Sequence, residues 1–438
     1  MDRVDETGRR MNGRGARAVG VWGALFAVVV GSSPRAASAD APGTNDRAIN
    51  LVDSLVLTKL ADMDGLRSAS LAESPWSSDV WPHYKGGIAY RYSDPGIQYT
   101  QDWHDNVDAV WSTTPANPDD LSPAEKYDLL VGDVDQRLTA FHLDLGQPYY
   151  QHYGVVEPRM DIDHGWASAS YMTPRPLKAI VVPAADGVTQ IKFYPEDIKA
   201  LASALWAYTN PVTKFIGGRC NAVNPAIDSI GRIKETACRD ANPASWHLAV
   251  VNQLGKAKRS FVVDTTYDYE VTNKPVHAYS YEYFNPKTKQ TTKILSYAKV
   301  AVGDFPEDKF KSTRAAGTTH IVGVTMDVKW TDSKAPSHYA PDSPSRDAIT
   351  GARWMYTLEL DASGTIIGGE WLQNAHPDFQ WTPPPGTKAA TAYEGQASGS
   401  WSGMSALPAS WRTAAVSSSA TGAPLAKIVD KLVELARK

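Results

Sequence analysis

The feature that most constrains the fold is a series of short apolar runs between about residues 177 and 381. The runs are rich in β-branched and aromatic residues, which is typical of β-strands. The first two, 177–184 and 188–194, flank an Ala-Asp-Gly turn, and a helix opened by Pro195 is predicted over 195–208. The later runs, predicted as successive antiparallel strands, are 246–252, 260–266, 277–284, 319–330, 353–360 and 365–371. The sequence therefore predicts an α+β fold.

Helical patterns lie on both sides of this region. Apolar residues recur at helical spacing over 45–71, with Asn45 or Asp46 available as a cap, and Ser122 caps a second helix within 121–133. We therefore predict a helical N-terminal region over 40–155. A stretch rich in Pro, Gly, Ser and Ala over 384–422 is interpreted as a linker. It leads to a C-terminal helix over 423–438, whose apolar stripe predicts packing on the body of the protein.

The first 39 residues have the pattern of a secretory signal peptide. Basic residues precede an apolar run at 19–30, and Ala37-Ser38-Ala39 follows as a cleavage signal. The run is about 12 residues long, against the roughly 20 that a membrane-spanning helix needs, so a retained anchor is disfavoured. The Arg9-Arg10 pair alone gives little support to twin-arginine export. We expect a secreted or periplasmic protein without a membrane span.

Charge and cysteine content narrow the class further. Residues 1–39 contain six Arg and three acidic residues, so the rest of the chain has 38 basic and 45 acidic residues and a net charge of −7. This charge does not indicate a nucleic-acid partner. An exported protein with only two cysteines, Cys220 and Cys238, favours a disulfide between them. Such a bridge would stabilise the fold by roughly 3 kcal/mol on the chain-entropy model.

One predicted hairpin brings two chemically useful side chains together. If the runs at 247–252 and 259–264 pair so that Asn252 faces Arg259, His247 lies opposite Asp264. Directly opposed residues have Cβ atoms about 5 Å apart, so the carboxylate could orient the imidazole as in a catalytic triad. A surface His and Asp that merely face each other is the alternative interpretation. A shift of one residue in the register would separate them.

The order of several segments resembles one known family. The segments are 75–92 (PWSSDVWPHYKGGIAYRY), 121–133 (LSPAEKYDLLVGD), 164–170 (HGWASAS), 238–243 (CRDANP), 246–252 with 261–266 (WHLAVVN and FVVDTT), 269–279 (YEVTNKPVHAY) and 368–381 (GGEWLQNAHPDFQW). Together they resemble the transglutaminase elicitor family of the papain-like Cys-His-Asp superfamily. The resemblance implies a catalytic core over 156–383, with His247 as base and Asp264 as orienter on an antiparallel sheet.

The resemblance also implies a reaction. Such enzymes use a thiolate to attack a glutamine carboxamide and pass the acyl group to a lysine amine, without a cofactor. The partner would be a protein or peptide that carries glutamine and lysine. In the family pattern the nucleophilic Cys stands immediately before His-Gly-Trp, whereas this chain has Asp163 before His164. Arg159 and Asp161 depart from the pattern as well, so we expect the reactive centre to be degenerate.

Several other assignments stay open at this point. Cys220 could replace the missing nucleophile, although the residues after it are a poor helix start. Asp161, Asp163 and His164, approached by His247, have the ligand types of a metal site but match no strong metal motif, so no metal is assigned.

Further residues are considered for binding and for structure. Trp166 and His164 are assigned to a substrate cleft beside the reactive position, and the His376-Pro377-Asp378 turn is interpreted as structural. Two functions follow: acyl transfer with Cys220, or an exported recognition protein without catalysis.

Overall fold

The fold combines a helical N-terminal region with a large antiparallel sheet, which confirms the predicted α+β class. The computed structural model describes residues 48–52, 54–235, 238–239, 241–373 and 375–438. The predicted signal peptide and the predicted cap at Asn45 or Asp46 lie outside these residues. Over the part that is described, no helix has the length and apolar character needed to cross a bilayer.

Side-chain caps start several helices of the N-terminal half. The Asp102 carboxylate accepts hydrogen bonds from the amides of the first helical turn. Ser122 and Glu125 form a reciprocal capping box with Pro123 between them, which confirms the helix predicted within 121–133. The helices of this half are α1 (Trp103–Ser112), α2 (Pro123–Val131), α3 (Arg137–Leu143), α4 (Gln147–Tyr153), α5 (Asp163–Met172) and α6 (Pro195–Tyr208). The helix predicted over 195–208 is therefore confirmed as α6.

Helices α5 and α6 pack closely because of one glycine. A Cβ atom on Gly165 would lie 2.3 Å from the carbonyl oxygen of Ser203 and 2.6 Å from the Cβ of Ala207. Only a residue without a side chain allows the two backbones to approach this far. The contact fixes the start of α5, where the candidate site begins.

The strands form one large sheet and one small hairpin. Their bounds are β1 (Ser68–Ser70), β2 (Ile180–Pro183), β3 (Gln190–Phe193), β4 (Lys214–Gly217), β5 (Val262–Asp264), β6 (Asn273–Phe284), β7 (Thr291–Thr292), β8 (Lys299–Ala301), β9 (His320–Asp332), β10 (Ala348–Leu360), β11 (Ile366–Trp371) and β12 (Phe379–Thr382). The large sheet has the order β11-β10-β9-β6-β5-β12-β4, and all of its pairs are antiparallel. The remaining α-helices are α7 (Pro243–Val250), α8 (Leu295–Ala298), α9 (Ala409–Ser419) and α10 (Ala426–Arg437).

Two hydrophobic cores lie beneath these elements. One joins the helices of the N-terminal half to α9 and α10, and its largest members include Trp76, Trp81 and Trp166. The other lies between the large sheet and α7, with Trp246 and Tyr356 at its centre. Burying large aromatic side chains is a main source of stability for both cores.

The predicted helix over 45–71 is wrong in the described part of that segment. Residues Ala48–Asn50 and Leu60–Leu66 form short 3-10 turns, and β1 follows. The Asn252 side chain accepts a hydrogen bond from the Leu57 amide and donates one to its carbonyl oxygen, at 3.0 and 2.9 Å. These long-range bonds replace the bonds that a helix would make with its own backbone.

The predicted strand over 246–252 is also wrong, because this run forms α7 and the start of a π-helix (Val251–Lys256). Asn242 caps α7 and Pro243 occupies its first turn, which are ordinary helix-start signals. Every residue of α7 is buried. A helix that is apolar on all sides has no polar face, so its sequence shows the same continuous apolar run as a buried strand.

The stretch interpreted as a linker, 384–422, instead packs on the helical core. It contains α9, and the side chains of Trp401, Leu407 and Trp411 are buried there with those of α10. The predicted C-terminal helix is confirmed as α10. The Pro, Gly and Ser content disrupts local periodicity, but three large apolar side chains are enough to anchor the segment.

Candidate functional site

Asp163, the residue at the position that the sequence resemblance assigns to the nucleophile, is the first residue of α5. The Asp161 carboxylate accepts a hydrogen bond from the Asp163 amide at 3.0 Å, which satisfies one free N–H of the helix start. The two oxygens of Asp163 accept hydrogen bonds from the backbone N–H and the side-chain amide of Asn273, at 2.7 and 2.9 Å. Asp163 therefore ties α5 to the first residue of β6.

A third element joins this contact. The indole N–H of Trp381, in β12, donates a hydrogen bond to the Asn273 side-chain oxygen at 2.9 Å. Asn273 thus connects α5 and β12 through its side-chain amide. The sequence alone did not identify Asn273 and Trp381 as site residues. Asn273 is 110 residues from Asp163, and no local pattern links the two.

The neighbouring residues predicted to bind substrate have different environments. His164 is exposed, and its carbonyl oxygen accepts a bond from the Ser168 hydroxyl. Trp166 is 0% exposed and donates its indole N–H to the carbonyl oxygen of Trp76 at 3.1 Å. The Lys274 ammonium lies 5.7 Å from the centre of the Trp166 ring. Trp166 is therefore a core residue in this structure and does not face an open cleft.

Acidic side chains crowd the start of α5. Burial, followed by the charge of Asp163, raises the pKa of Asp161 to about 9. Burial also raises the pKa of Asp79. Lys274 pairs with Asp332 at 2.6 Å. In the ranges that the structure describes, no three His, Cys, Asp or Glu side chains are placed to hold a metal ion.

His247 lies in the sheet core and not in a hairpin. Its Nδ1 is 2.8 Å from the Tyr356 hydroxyl, and its ring packs edge-on against Tyr281 with centroids 4.8 Å apart. Complete burial lowers the pKa of His247 to about 3, so the imidazole is neutral at physiological pH. Such a histidine satisfies the hydrogen bonding of a buried tyrosine.

Asp264 is the last residue of β5 and lies beside the first residue of β6, at the end of β6 that is distant from the His247 contact. It is the antiparallel partner of Asn273, and its Oδ1 accepts hydrogen bonds from the Thr272 amide and from both the amide and hydroxyl of Thr266. Burial, reinforced by the nearby charge of Asp378, raises the pKa of Asp264 to about 7. The carboxyl is therefore held by the turn that joins β5 to β6.

The predicted pairing of His247 with Asp264 is not formed. His247 contacts Tyr281, whereas Asp264 is opposite Asn273, eight residues away on β6. At about 3.3 Å per residue, these two positions are about 25 Å apart along the strand. The register that was expected to place His247 opposite Asp264 fails because 247 belongs to a helix.

The two cysteines form a disulfide bond with each other, which confirms the prediction. Cys220 and Cys238 are bonded through their sulfur atoms, and both are buried. The Cys220 amide donates to a carboxylate oxygen of Asp378 at 3.1 Å. Cys220 therefore lies near the Asp264 end of β6, and it has no thiol.

The raised pKa of Asp264 predicts a pH-dependent effect of Asp264→Asn. In the unfolded chain an aspartate titrates near pH 4, so the folded protein binds the extra proton between about pH 4 and pH 7. The wild type therefore loses stability as pH rises through that window. Asparagine does not ionise, so the stability of the variant relative to wild type should rise by up to about 4 kcal/mol across the same window.

Urea unfolding of both proteins from about pH 4 to about pH 8 checks this prediction. Asp361→Asn is the control, because hydrogen bonds from Ser363 and Thr365 lower the pKa of Asp361. Because Asp361 is already largely ionised throughout this pH range in both the folded and the unfolded chain, the stability of Asp361→Asn relative to wild type should stay nearly constant across it. A flat difference for Asp264→Asn would contradict the prediction.

Comparisons with known proteins bear on the whole arrangement. A family model described as transglutaminase elicitor matches residues 144–397, more than half of the sequence. The crystal structure of the GP42 transglutaminase from Phytophthora sojae is similar, with a TM-score of 0.53 and 21% identity, covering 76% of this chain and 88% of that chain. At that identity the likeness shows the fold alone. None of the curated proteins is a match to the sequence.

Proposed function

The chain belongs to the transglutaminase elicitor family, and from that premise we propose that it is an exported, non-catalytic member that acts by binding another molecule. The observation that carries the proposal is the disulfide between Cys220 and Cys238, the only cysteines in the sequence. Glutamine acyl transfer requires a nucleophile that is also a good leaving group, and a disulfide sulfur is neither.

The residue at the nucleophile position supports the same proposal. Asp163 uses both carboxylate oxygens to hold Asn273. If it attacked a carboxamide, the product would be an anhydride, which offers no thioester-like path to an amide. The carboxylate of Asp163 is therefore suited to a structural role, in which its hydrogen bonds connect α5 to β6.

The histidine that the resemblance assigns as general base, His247, lies away from this position. His247 is buried against Tyr356, and this burial lowers the pKa of its imidazole. A general base must come within hydrogen-bond reach of the nucleophile. His247 contacts the distant end of β6, so it does not meet that condition at Asp163.

Export is proposed from two features. The predicted signal peptide directs the chain to an oxidising compartment, and the disulfide is the kind of bond that persists there. Both features are compatible with a secreted or a periplasmic protein.

The second candidate is transglutaminase-type acyl transfer from glutamine to lysine, which family membership favours. It would require reduction of the disulfide and movement of Cys220 to His247. The backbone N–H of Cys220 donates a hydrogen bond to the Asp378 carboxylate, and Asp378 lies close enough to Asp264 to raise the pKa of Asp264. The Cys220 sulfur therefore lies near the start of β6, whereas His247 contacts Tyr281 near the end of that strand.

Two measurements on the purified protein test the proposal. We expect no free thiol in denaturant without reductant, and two after reduction. We also expect incorporation of a fluorescent amine into dimethylated casein to stay at the enzyme-free level, with or without reductant. Amine incorporation that is lost in Cys220→Ser but kept in Cys238→Ser would establish the second candidate instead, because only the former removes the alternative nucleophile.

A further inference from the structure

A groove of about 720 Å³ lies beside the far end of α5. Its walls are the segment 70–76, the end of α5 with the following residues to Arg175, the turn 258–260, and Arg437 near the C-terminus. This volume lies in the range of sites that hold small ligands or short peptides. The groove involves none of the candidate catalytic residues described above.

The groove is positively charged, although the chain as a whole is acidic with a net charge of −4. Lys258 and Arg437 are exposed, and among the described residues neither has a carboxylate within ion-pair distance. Within the described ranges, the hydrogen bond of the Arg437 guanidinium goes to a neutral acceptor, the carbonyl oxygen of Arg175, at 2.9 Å. The acidic wall residue Glu73 is already paired with Arg175 at 2.9 Å. Two cationic groups are therefore available to an anion.

The turn that presents Lys258 is strained and held in place. Lys258 has φ = 56°, a left-handed conformation that is costly for a long side chain, and it follows the π-helix Val251–Lys256. Hydrogen bonds from the Arg259 amide to Gln253, and from the Gln253 side chain to Ser260, fix the turn at 3.1 and 3.2 Å. Local strain that the surroundings maintain is common at binding sites.

The opposite wall offers main-chain donors. The amides of Ala72, Glu73 and Ser74 have no hydrogen-bond partner within the part of the chain that the structure describes, and Ala72 and Glu73 are exposed. An extended peptide pairs with such a segment through its own carbonyl oxygens. Leu71 and Met172 are half-buried in the same groove and provide apolar contact.

From these features we infer that the groove binds an extended acidic peptide segment that also carries apolar side chains. Its carboxylates contact Lys258 and Arg437, its backbone pairs with residues 72–74, and its apolar side chains contact Leu71 and Met172. The inference extends the proposed function by naming the chemistry of the partner. Peptide binding and amine transfer are measured separately, so either conclusion can fail alone.

Calorimetric titration of the full chain with acetyl-Glu-Leu-Glu-Leu-Glu-amide tests the inference. We expect binding that weakens with added salt and that is about tenfold weaker for the corresponding glutamine peptide. The double variant Lys258→Gln/Arg437→Gln should lose about tenfold in affinity or more. The control is Lys289→Gln/Arg353→Gln, which removes the same charge, and Lys289 also has a positive φ of 64°. The control should bind like the wild type.

Three results would overturn the inference. One is no binding at millimolar peptide, and another is an equal loss of affinity in both double variants. The third is tighter binding of tetragalacturonate than of the acidic peptide with the same dependence on Lys258 and Arg437, which would assign the groove to an acidic sugar. Circular dichroism of each variant shows that the fold is kept.

Discussion

Replacing Arg175 by leucine is expected to lower the free energy of unfolding by about 3–5 kcal/mol. The Arg175 side chain is 0% exposed, and its guanidinium pairs with Glu73, Asp342 and Asp347 at 2.7 to 3.0 Å. Two of these carboxylates are themselves buried. Removing the cation leaves the Asp347 carboxylate without its ion-pair partner, because the ion pair of Lys199 in this network is with Asp342. Urea unfolding at neutral pH measures the loss.

The chain contains a matched control for this substitution. Arg353 also pairs with an aspartate, Asp327, through two hydrogen bonds, but its side chain is 66% exposed. Water solvates both charges there, so Arg353→Leu should cause a much smaller loss. Equal losses in the two variants would mean that burial of the Arg175 network does not decide its contribution.

Trp166→Ala is expected to destabilise the protein by about 3–5 kcal/mol, because it empties a large volume in a close-packed core. Trp166 is completely buried, and its indole N–H is bonded to the Trp76 carbonyl oxygen, which would lose its partner. The effect should appear as a lower urea midpoint with an unchanged slope. A residue that only lined a substrate cleft would not show such a loss.

Trp111→Ala is the control for the size of the substitution. Trp111 lies on α1 with 49% of its surface exposed, so its removal takes away much less buried area. We expect a clearly smaller change in the urea midpoint. If Trp166→Ala unfolds no more easily than Trp111→Ala, the core assignment of Trp166 is wrong.

Asp163 stands at the position that the sequence resemblance assigns to a nucleophilic cysteine, and its carboxylate has a structural role in this fold. A thiol is a weak hydrogen-bond acceptor, whereas a carboxylate accepts strongly from two donors. Asp163 holds both amide groups of Asn273, and Asn273 in turn receives the Trp381 indole N–H. These hydrogen bonds therefore connect the start of α5 to the first residue of β6.

Local sequence was sufficient for several elements that have one polar face or a recognisable cap. The capping box at Ser122 and Glu125 and the proline at the start of α6 identify helices from adjacent residues. Runs rich in β-branched and aromatic residues identify β6, β9 and β10, and two cysteines in a chain with a predicted signal peptide indicate a disulfide. The ordered motifs indicated the family without any structural information.

Tertiary structure alone decided the rest. α7 is buried on all sides, so the apolar run that follows its Asn242-Pro243 start is compatible with either a helix or a strand, and packing against the sheet selects the helix. Because residue 247 is helical, His247 does not take part in a hairpin. It contacts Tyr281, which lies about 25 Å along β6 from Asn273, the strand partner of Asp264. The Asp163–Asn273 bond and the Arg175 network join residues that are far apart in sequence. Such contacts depend on how the whole chain folds, because no local period or propensity encodes them.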